Sequence, residues 1–391
     1  MRILKVHSYY TQPGGEDTVF RAESALLRAN GHEVIEYLEY NQKIEGMNQA
    51  AVALQTLWSR PSYQKFQQFL YKNQPDIVHF HNTFPLISPS VYYACQELNL
   101  PVVQTLDNQR LICPASTFYR NGNLCLDCLG KVPAWPGVLH ACYHASRLHT
   151  AVVASMVALH HWLGTWRTKV DSFLCSTHFY RNLFVQAGFP AKKIVVLPHF
   201  VQETPMPVFP KKDGEYALFI GRLDPEKGIK TLLEAWCQLD FPLKIRGEGR
   251  LEEWARGFVK QQDMDKIEFI RRLDEQGLSN LIGNARFLIM PSEGYYETFG
   301  MVIIESYSRC VPVVASNIGV VPELVPDKET GLLFEPGNAW DLAEKAEWMW
   351  RHPAEASKMG MQGLDSYRER FTENQCYQTL IGIYEGLVSL K

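Results

Sequence analysis

The chain of 391 residues has no long apolar run. Its most apolar stretch, Thr150 to Leu163, contains His160 and His161 and is too short to span a bilayer. Met1–His7 lacks the apolar segment and small-residue cleavage site of a secretory leader and reads as a short strand. A cytoplasmic, soluble protein is therefore expected. Charge of one sign is equally scarce. With 39 Lys and Arg against 42 Asp and Glu the net charge is −3, which argues against a dedicated nucleic-acid binder. No Gly-x-Gly-x-x-Gly turn follows the first strand, and no acidic ribose partner stands in matching context, so a dinucleotide site is disfavoured.

A hydrophobic fraction of 46% and a charged fraction of 21% are those of a soluble globular protein, and the length suits two domains. Strands and helices alternate throughout. Ile3–Val6, Glu33–Tyr37, Ile77–His81 and Val102–Leu106 read as short buried strands, with a helix over Asp17–Asn30. A second series runs through Lys193–Pro198, Ala217–Ile220, Leu243–Arg246, Ile267–Ile270 and Phe287–Met290. Repeated β–α units with apolar strands imply α/β architecture, with parallel sheets covered on both faces. Pro198, Pro205, Pro207 and Pro210 mark the best linker, dividing two Rossmann-like domains expected to face a cleft. The expected bounds are 1–199, 200–370 and a last helix over 371–391.

The most informative run is Pro291-Ser-Glu-Gly-Tyr-Tyr-Glu-Thr-Phe-Gly-Met-Val-Ile-Ile-Glu305. Glu297 closes a polar, aromatic loop, and Glu305 is expected two turns into a helix opening near Thr298-Phe299-Gly300-Met301. The N–H groups of Gly300 and Met301 then lie at a helix start, where no intrahelical acceptor exists and the dipole is positive: a phosphate seat. One acid on each side suits a nucleotide-sugar, Glu297 for sugar hydroxyls and Glu305 for the ribose. Two solvated helix charges are the bland alternative, but Glu305 sits in apolar sequence where an unpaired charge is expensive. Upstream, Gly221-Arg-Leu-Asp-Pro-Glu-Lys-Gly228 follows a strand, so Arg222 and Lys227 can face one diphosphate, although an ordinary turn with two solvated cations has the same letters.

These motifs resemble the signature of the retaining, nucleotide-sugar-dependent glycosyltransferases of family 4, group 1 type, which includes sucrose synthase and bacterial mannosyltransferases. The resemblance covers nearly the whole chain and is strongest from Tyr216 to Glu344. It implies the GT-B fold and a last helix that crosses back onto the first domain. It also implies transfer of a hexosyl unit to a hydroxyl acceptor, either a glycan, a lipid-linked sugar or a small molecule. Arg222 and Lys227 would meet the charge of the leaving diphosphate in place of a metal. The chain is read as having no Asp-x-Asp metal motif, and no catalytic metal is expected. Gly14 and Gly15 would bring backbone amides towards the phosphate from the first domain, and Gly221, Thr298 and Phe299 complete the donor set. The rival readings are a non-hydrolysing nucleotide-sugar epimerase and a non-catalytic sugar-binding protein.

The pattern departs from the family after Val102–Leu106, where Asp107-Asn108 replaces a histidine placed near the reacting sugar. Asp107 is expected to bind a donor hydroxyl or an acceptor proton. His79 and His81, two apart on one strand, point to one face and are candidates for the acceptor side. Arg271 stands where many relatives carry glycine near the base, so base preference does not transfer. Four of the nine cysteines, Cys113, Cys125, Cys128 and Cys142, fall in a polar insertion over 113–142, and the Cys-x2-Cys pair has the spacing of a zinc knuckle. One structural zinc is expected there, with four reduced thiols as the alternative. Trp135, Trp162 and Trp166 are candidates to stack on a glycan or to dip into a membrane surface.

Overall fold

A computed structural model describes residues 1–11, 14–202, 214–294 and 297–391. The linker prolines Pro205, Pro207 and Pro210 lie outside the described residues. The chain divides into two compact units. Unit 1 is Met1–Phe118, Cys125–Pro198 and Cys376–Lys391; unit 2 is Tyr119–Leu124 and His199–Gln375. The last helix, Glu373–Ser389, therefore starts in unit 2 and belongs to unit 1 from Cys376 onward.

In unit 1 the strands are β1 (Arg2–Tyr9), β2 (Glu33–Tyr40), β3 (Ile77–Phe80) and β4 (Val102–Thr105). A hairpin of β5 (Tyr119–Arg120) and β6 (Asn123–Leu124) interrupts this series before β7 (Ser172–Cys175) and β8 (Ile194–Val196). The sheet order is β2-β1-β3-β4-β7-β8, all parallel. Unit 2 contains β9 (Tyr216–Ile220), β10 (Leu243–Arg246), β11 (Ile267–Ile270), β12 (Ala285–Met290), β13 (Val313–Ser316) and β14 (Gly331–Phe334). Its order is β11-β10-β9-β12-β13-β14, again parallel. The expected strands form; β7 and β14 were not legible in the sequence.

Parallel strands bury both faces, and unit 2 shows the two-residue period directly. Ala217, Phe219, Phe287 and Ile289 enter one core, while Tyr216, Leu218, Leu288 and Met290 enter the other. Chain order reverses on either side of β9 and β12, and in such sheets ligands bind beyond the carboxyl ends of the strands at that reversal. Unit 1 has the equivalent point between β1 and β3. Among the described residues no helix is long and apolar enough to cross a membrane.

The helix Pro353–Arg370 supports the short helix Met301–Tyr307 through two glycines. A Cβ at Gly360 would collide with the Cys310 carbonyl oxygen, and one at Gly363 would lie 2.5 Å from the Tyr307 ring. Gly360→Ala gains about 1 kcal/mol of helix propensity. It should nonetheless destabilise by roughly 1–3 kcal/mol, because the fit leaves no room for a methyl. Thermal unfolding checks this; a raised melting temperature would contradict the packing argument.

Candidate functional site

In unit 2, β9 and β12 deliver their exit loops side by side at the reversal point. The first loop holds Gly221-Arg222-Leu223-Asp224 and then a single 3-10 turn, Pro225–Lys227. Gly228 follows with φ of +72° and packs so closely on the second loop that a Cβ would strike the Pro291 carbonyl oxygen. That contact sets Lys227 beside the second loop, where its Nζ forms an ion pair with Oε1 of Glu297. The pair is largely sheltered, with 13% and 18% of the two side chains exposed. Ser292 Oγ donates to the same Glu297 oxygen at 3.4 Å, and Glu293 accepts from Thr231 Oγ1 at 2.5 Å.

Arg222 stands apart from this pair. Its half-exposed guanidinium reaches Asp224 at 2.7 Å and Glu226 at 3.3 Å. Arg250 reaches the same two acids at 3.1 and 3.3 Å. The Arg222 side chain is 50% exposed, whereas the two carboxylates it meets are sheltered.

Gly300 has φ of +82°, a conformation that favours glycine, and caps the helix Met301–Tyr307. Glu305 is the fifth residue of that helix, so it lies in its second turn, nearer the start than expected. Burial raises its pKa, against the opposing charges of Arg246 and Arg309. Phe299 needs correction as a donor contact, since its side chain is 1% exposed and packs into the core against His199 at 5.0 Å and Phe371 at 5.8 Å. Only its backbone is available to a ligand. Thr298 precedes it at the helix entry.

Asp263-Met264-Asp265 does carry the letters of an Asp-x-Asp, which corrects the reading that the chain offers none. Both acids are exposed and lead into the amino end of β11, away from the carboxyl ends where ligands bind.

In unit 1, Gly14 and Gly15 are exposed at the start of the helix Gly15–Ala29. The Gly14 N–H donates to Asp17 Oδ2 at 3.0 Å, so this amide already serves the helix start. His79 is buried and corrected to a packing role: its Nε2 meets Thr105 Oγ1 at 2.6 Å and its Nδ1 meets Tyr384 Oη at 2.6 Å. Burial, reinforced by the Lys5 charge, pushes it down to about 3. His81 reaches Asp107 Oδ2 at 3.1 Å, and both line a small cavity with Asn82, Asn108 and Arg110. Trp166 is 4% exposed, whereas Trp135 and Trp162 are 52% and 69% exposed.

Sequence reasoning missed Glu16 as a site residue. Asn108 Nδ2 donates to both of its carboxylate oxygens at 3.2 Å. Burial, followed by the charge of Asp107, pushes it up to about 7. The signal available was its place directly after the glycine pair at the carboxyl end of β1.

Cys113 and Cys128 are buried and Cys125 and Cys142 half-buried. Burial pushes the Cys128 thiol up to about 12, with the other three cysteines adding to the shift. Among the described residues, the metal-capable group whose ligand atoms all lie within 4.8 Å is Glu23, His79 and His81.

Two family models match: "Glycosyltransferase Family 4" over residues 13–204 and "Glycosyl transferases group 1" over residues 201–365. An uncharacterized glycosyltransferase of Methanocaldococcus jannaschii is 27% identical over 56% of this chain and 61% of its own length. The D-rhamnosyltransferase WbpZ of Pseudomonas aeruginosa is 28% identical over 41% of this chain and 43% of its own. The chain thus spans roughly half the length of the curated relatives it matches. Among solved structures, sucrose-phosphate synthase from Thermosynechococcus elongatus superposes with a TM-score of 0.70 at 18% identity, covering 100% of this chain and 99% of that one. Anabaena HepE in complex with UDP gives 0.69 at 15%, covering 99% and 100%.

An acid whose pKa rises on folding weakens the fold as pH climbs from its unfolded value of 4.5 to its folded value of about 7. Glu16→Gln removes that penalty. The variant should gain on the native chain across this window by on the order of 2–3 kcal/mol. Melting temperatures below and above the window test this; a difference that does not change with pH would contradict it. With both family models matched and two six-stranded parallel sheets in place, the chain belongs to the group 1 glycosyltransferases, a family of transferase enzymes with the GT-B fold.

Proposed function

We propose that the chain transfers a hexosyl unit from a nucleotide diphosphate sugar to a hydroxyl acceptor, with retention at the anomeric carbon. The observation behind this reading is the Lys227–Glu297 pair at the β9/β12 reversal. A cation for the diphosphate and a carboxylate for sugar hydroxyls are held there side by side. Support for the donor class comes from the UDP complex of HepE. The glycosidic C–O bond to the diphosphate breaks, and the acceptor oxygen bonds to that carbon on the same face. The acceptor proton passes to the departing phosphate.

In this reading Glu297 orients donor hydroxyls. Lys227, Arg222 and the backbone at Gly221, Gly300 and Met301 stabilise the charge developing on the leaving group. Glu305 takes the ribose. Asp107, held by His81, receives the acceptor hydroxyl in unit 1. Were the acceptor lipid-linked, the exposed Leu148, Trp162 and Leu163 would supply a peripheral membrane contact. Structural zinc at Cys113, Cys125, Cys128 and Cys142 is proposed on donor chemistry and on the electrical proximity of the other three to Cys128.

Glu305→Gln should weaken nucleotide binding by roughly 1.5–3 kcal/mol, the worth of one charge-assisted hydrogen bond, while Glu297→Gln mainly lowers turnover. Calorimetry with UDP and turnover of the sugar donor separate the two. Equal loss of nucleotide affinity in both variants would refute this division of roles, and conversion of the donor without acceptor would favour an epimerase. Elemental analysis of untagged protein should find one zinc per chain; a value near zero would leave four reduced thiols.

A further inference from the structure

The interior of unit 1 holds an ionic cluster that the donor chemistry does not use. Lys5 lies mid-strand in β1 with no exposed surface. Its Nζ meets Glu23 Oε1 from the helix Gly15–Ala29, His81 Nε2 at 2.7 Å and His79 Nδ1 at 3.3 Å. Glu23, His79 and His81 are the metal-capable group described above, and the ammonium lies among them. An ammonium has three N–H groups and no lone pair, so it can only donate; Glu23 Oε1 and His81 Nε2 accept from it, while His79 Nδ1 also lies 2.6 Å from Tyr384 Oη and 3.1 Å from Glu23 Oε1. Although burial works to raise it, Lys5, His79 and His81 hold Glu23 well below the usual carboxylate range.

The consequence falls on His81. With Nε2 accepting from Lys5, the ring proton of a neutral imidazole must sit on Nδ1, and Nδ1 faces Asp107 Oδ2 at 3.1 Å. We propose that Lys5 is a positioning residue: it fixes His81 as the Nδ1–H tautomer, and His81 thereby holds the Asp107 carboxylate aimed into the cavity it lines. The idea that Asp107 receives the acceptor hydroxyl rests on the functional reading above; the tautomer assignment does not. Other ionisable groups facing the cluster are Cys376 and Tyr384 of the last helix, and the His7–Asp17 pair at 2.8 Å beside His81.

Two measurements test this separately. In the native chain labelled with 15N-histidine, the His81 resonance, identified by its loss in His81→Gln, should show a protonated Nδ1 and an unprotonated Nε2 near neutral pH. An Nε2–H tautomer or an imidazolium would overturn the proposal whether or not the protein transfers sugar. Lys5→Met alone leaves Glu23 as an uncompensated buried charge, so the neutral pair Lys5→Met/Glu23→Gln is used for kinetics. Misplacing Asp107 should lower kcat for transfer by roughly tenfold to a hundredfold, while donor KM stays unchanged. In an Asp107→Asn background the same pair should cost almost nothing further. Losses that add independently of Asp107 would overturn the positioning role. Absence of transfer by the native chain would refute the functional reading and leave the tautomer to decide this one.

Discussion

Two loops leave the carboxyl ends of β9 and β12 side by side because those strands pair while the chain builds outward from them in opposite directions. The candidate donor site depends on this reversal. It brings Lys227 and Glu297, seventy residues apart in sequence, into one ion pair. Gly228 makes the approach possible, since any side chain there would meet the Pro291 carbonyl. The apolar strands beneath, filled from both faces, give the loops a base that does not yield.

Unit 1 solves a different electrostatic problem. Charges are taken far from water and balanced by counting donors against acceptors, with Lys5 at the centre and Glu23, His79 and His81 around it. A buried ion pair contributes little net stability, but removing one member is costly, so such a cluster fixes geometry more than it stabilises. The rim of the cluster reaches Asp107, and beyond it lies Glu16. Polarity thus grades from a closed interior to groups that can meet a ligand.

Much of this was legible in the sequence where one local pattern sufficed. The apolar strands, the glycine-bounded turn at Gly221–Gly228 and the acid-flanked helix start near Gly300 each have a local physical signal. The strand β14 escaped because it opens on a glycine, which weakens a strand pattern. Phe299 read as part of a ligand loop, yet its ring is core, since side-chain direction at a helix entry depends on tertiary packing. His79 and His81 were rightly placed on one face, but sequence could not say that Lys5 and Glu23 would close over them. A lysine set between Leu4 and Val6 on a buried parallel strand was the available clue. The cysteine spacing was readable.

The central claim is that a nucleoside diphosphate binds at the β9/β12 reversal of unit 2. Hydrogen–deuterium exchange with and without UDP or GDP tests it most directly. Nucleotide binding at this reversal should slow exchange in the segments 221–228 and 291–305 alone. Protection absent from both segments at saturating nucleotide, or concentrated on other loops, would contradict it.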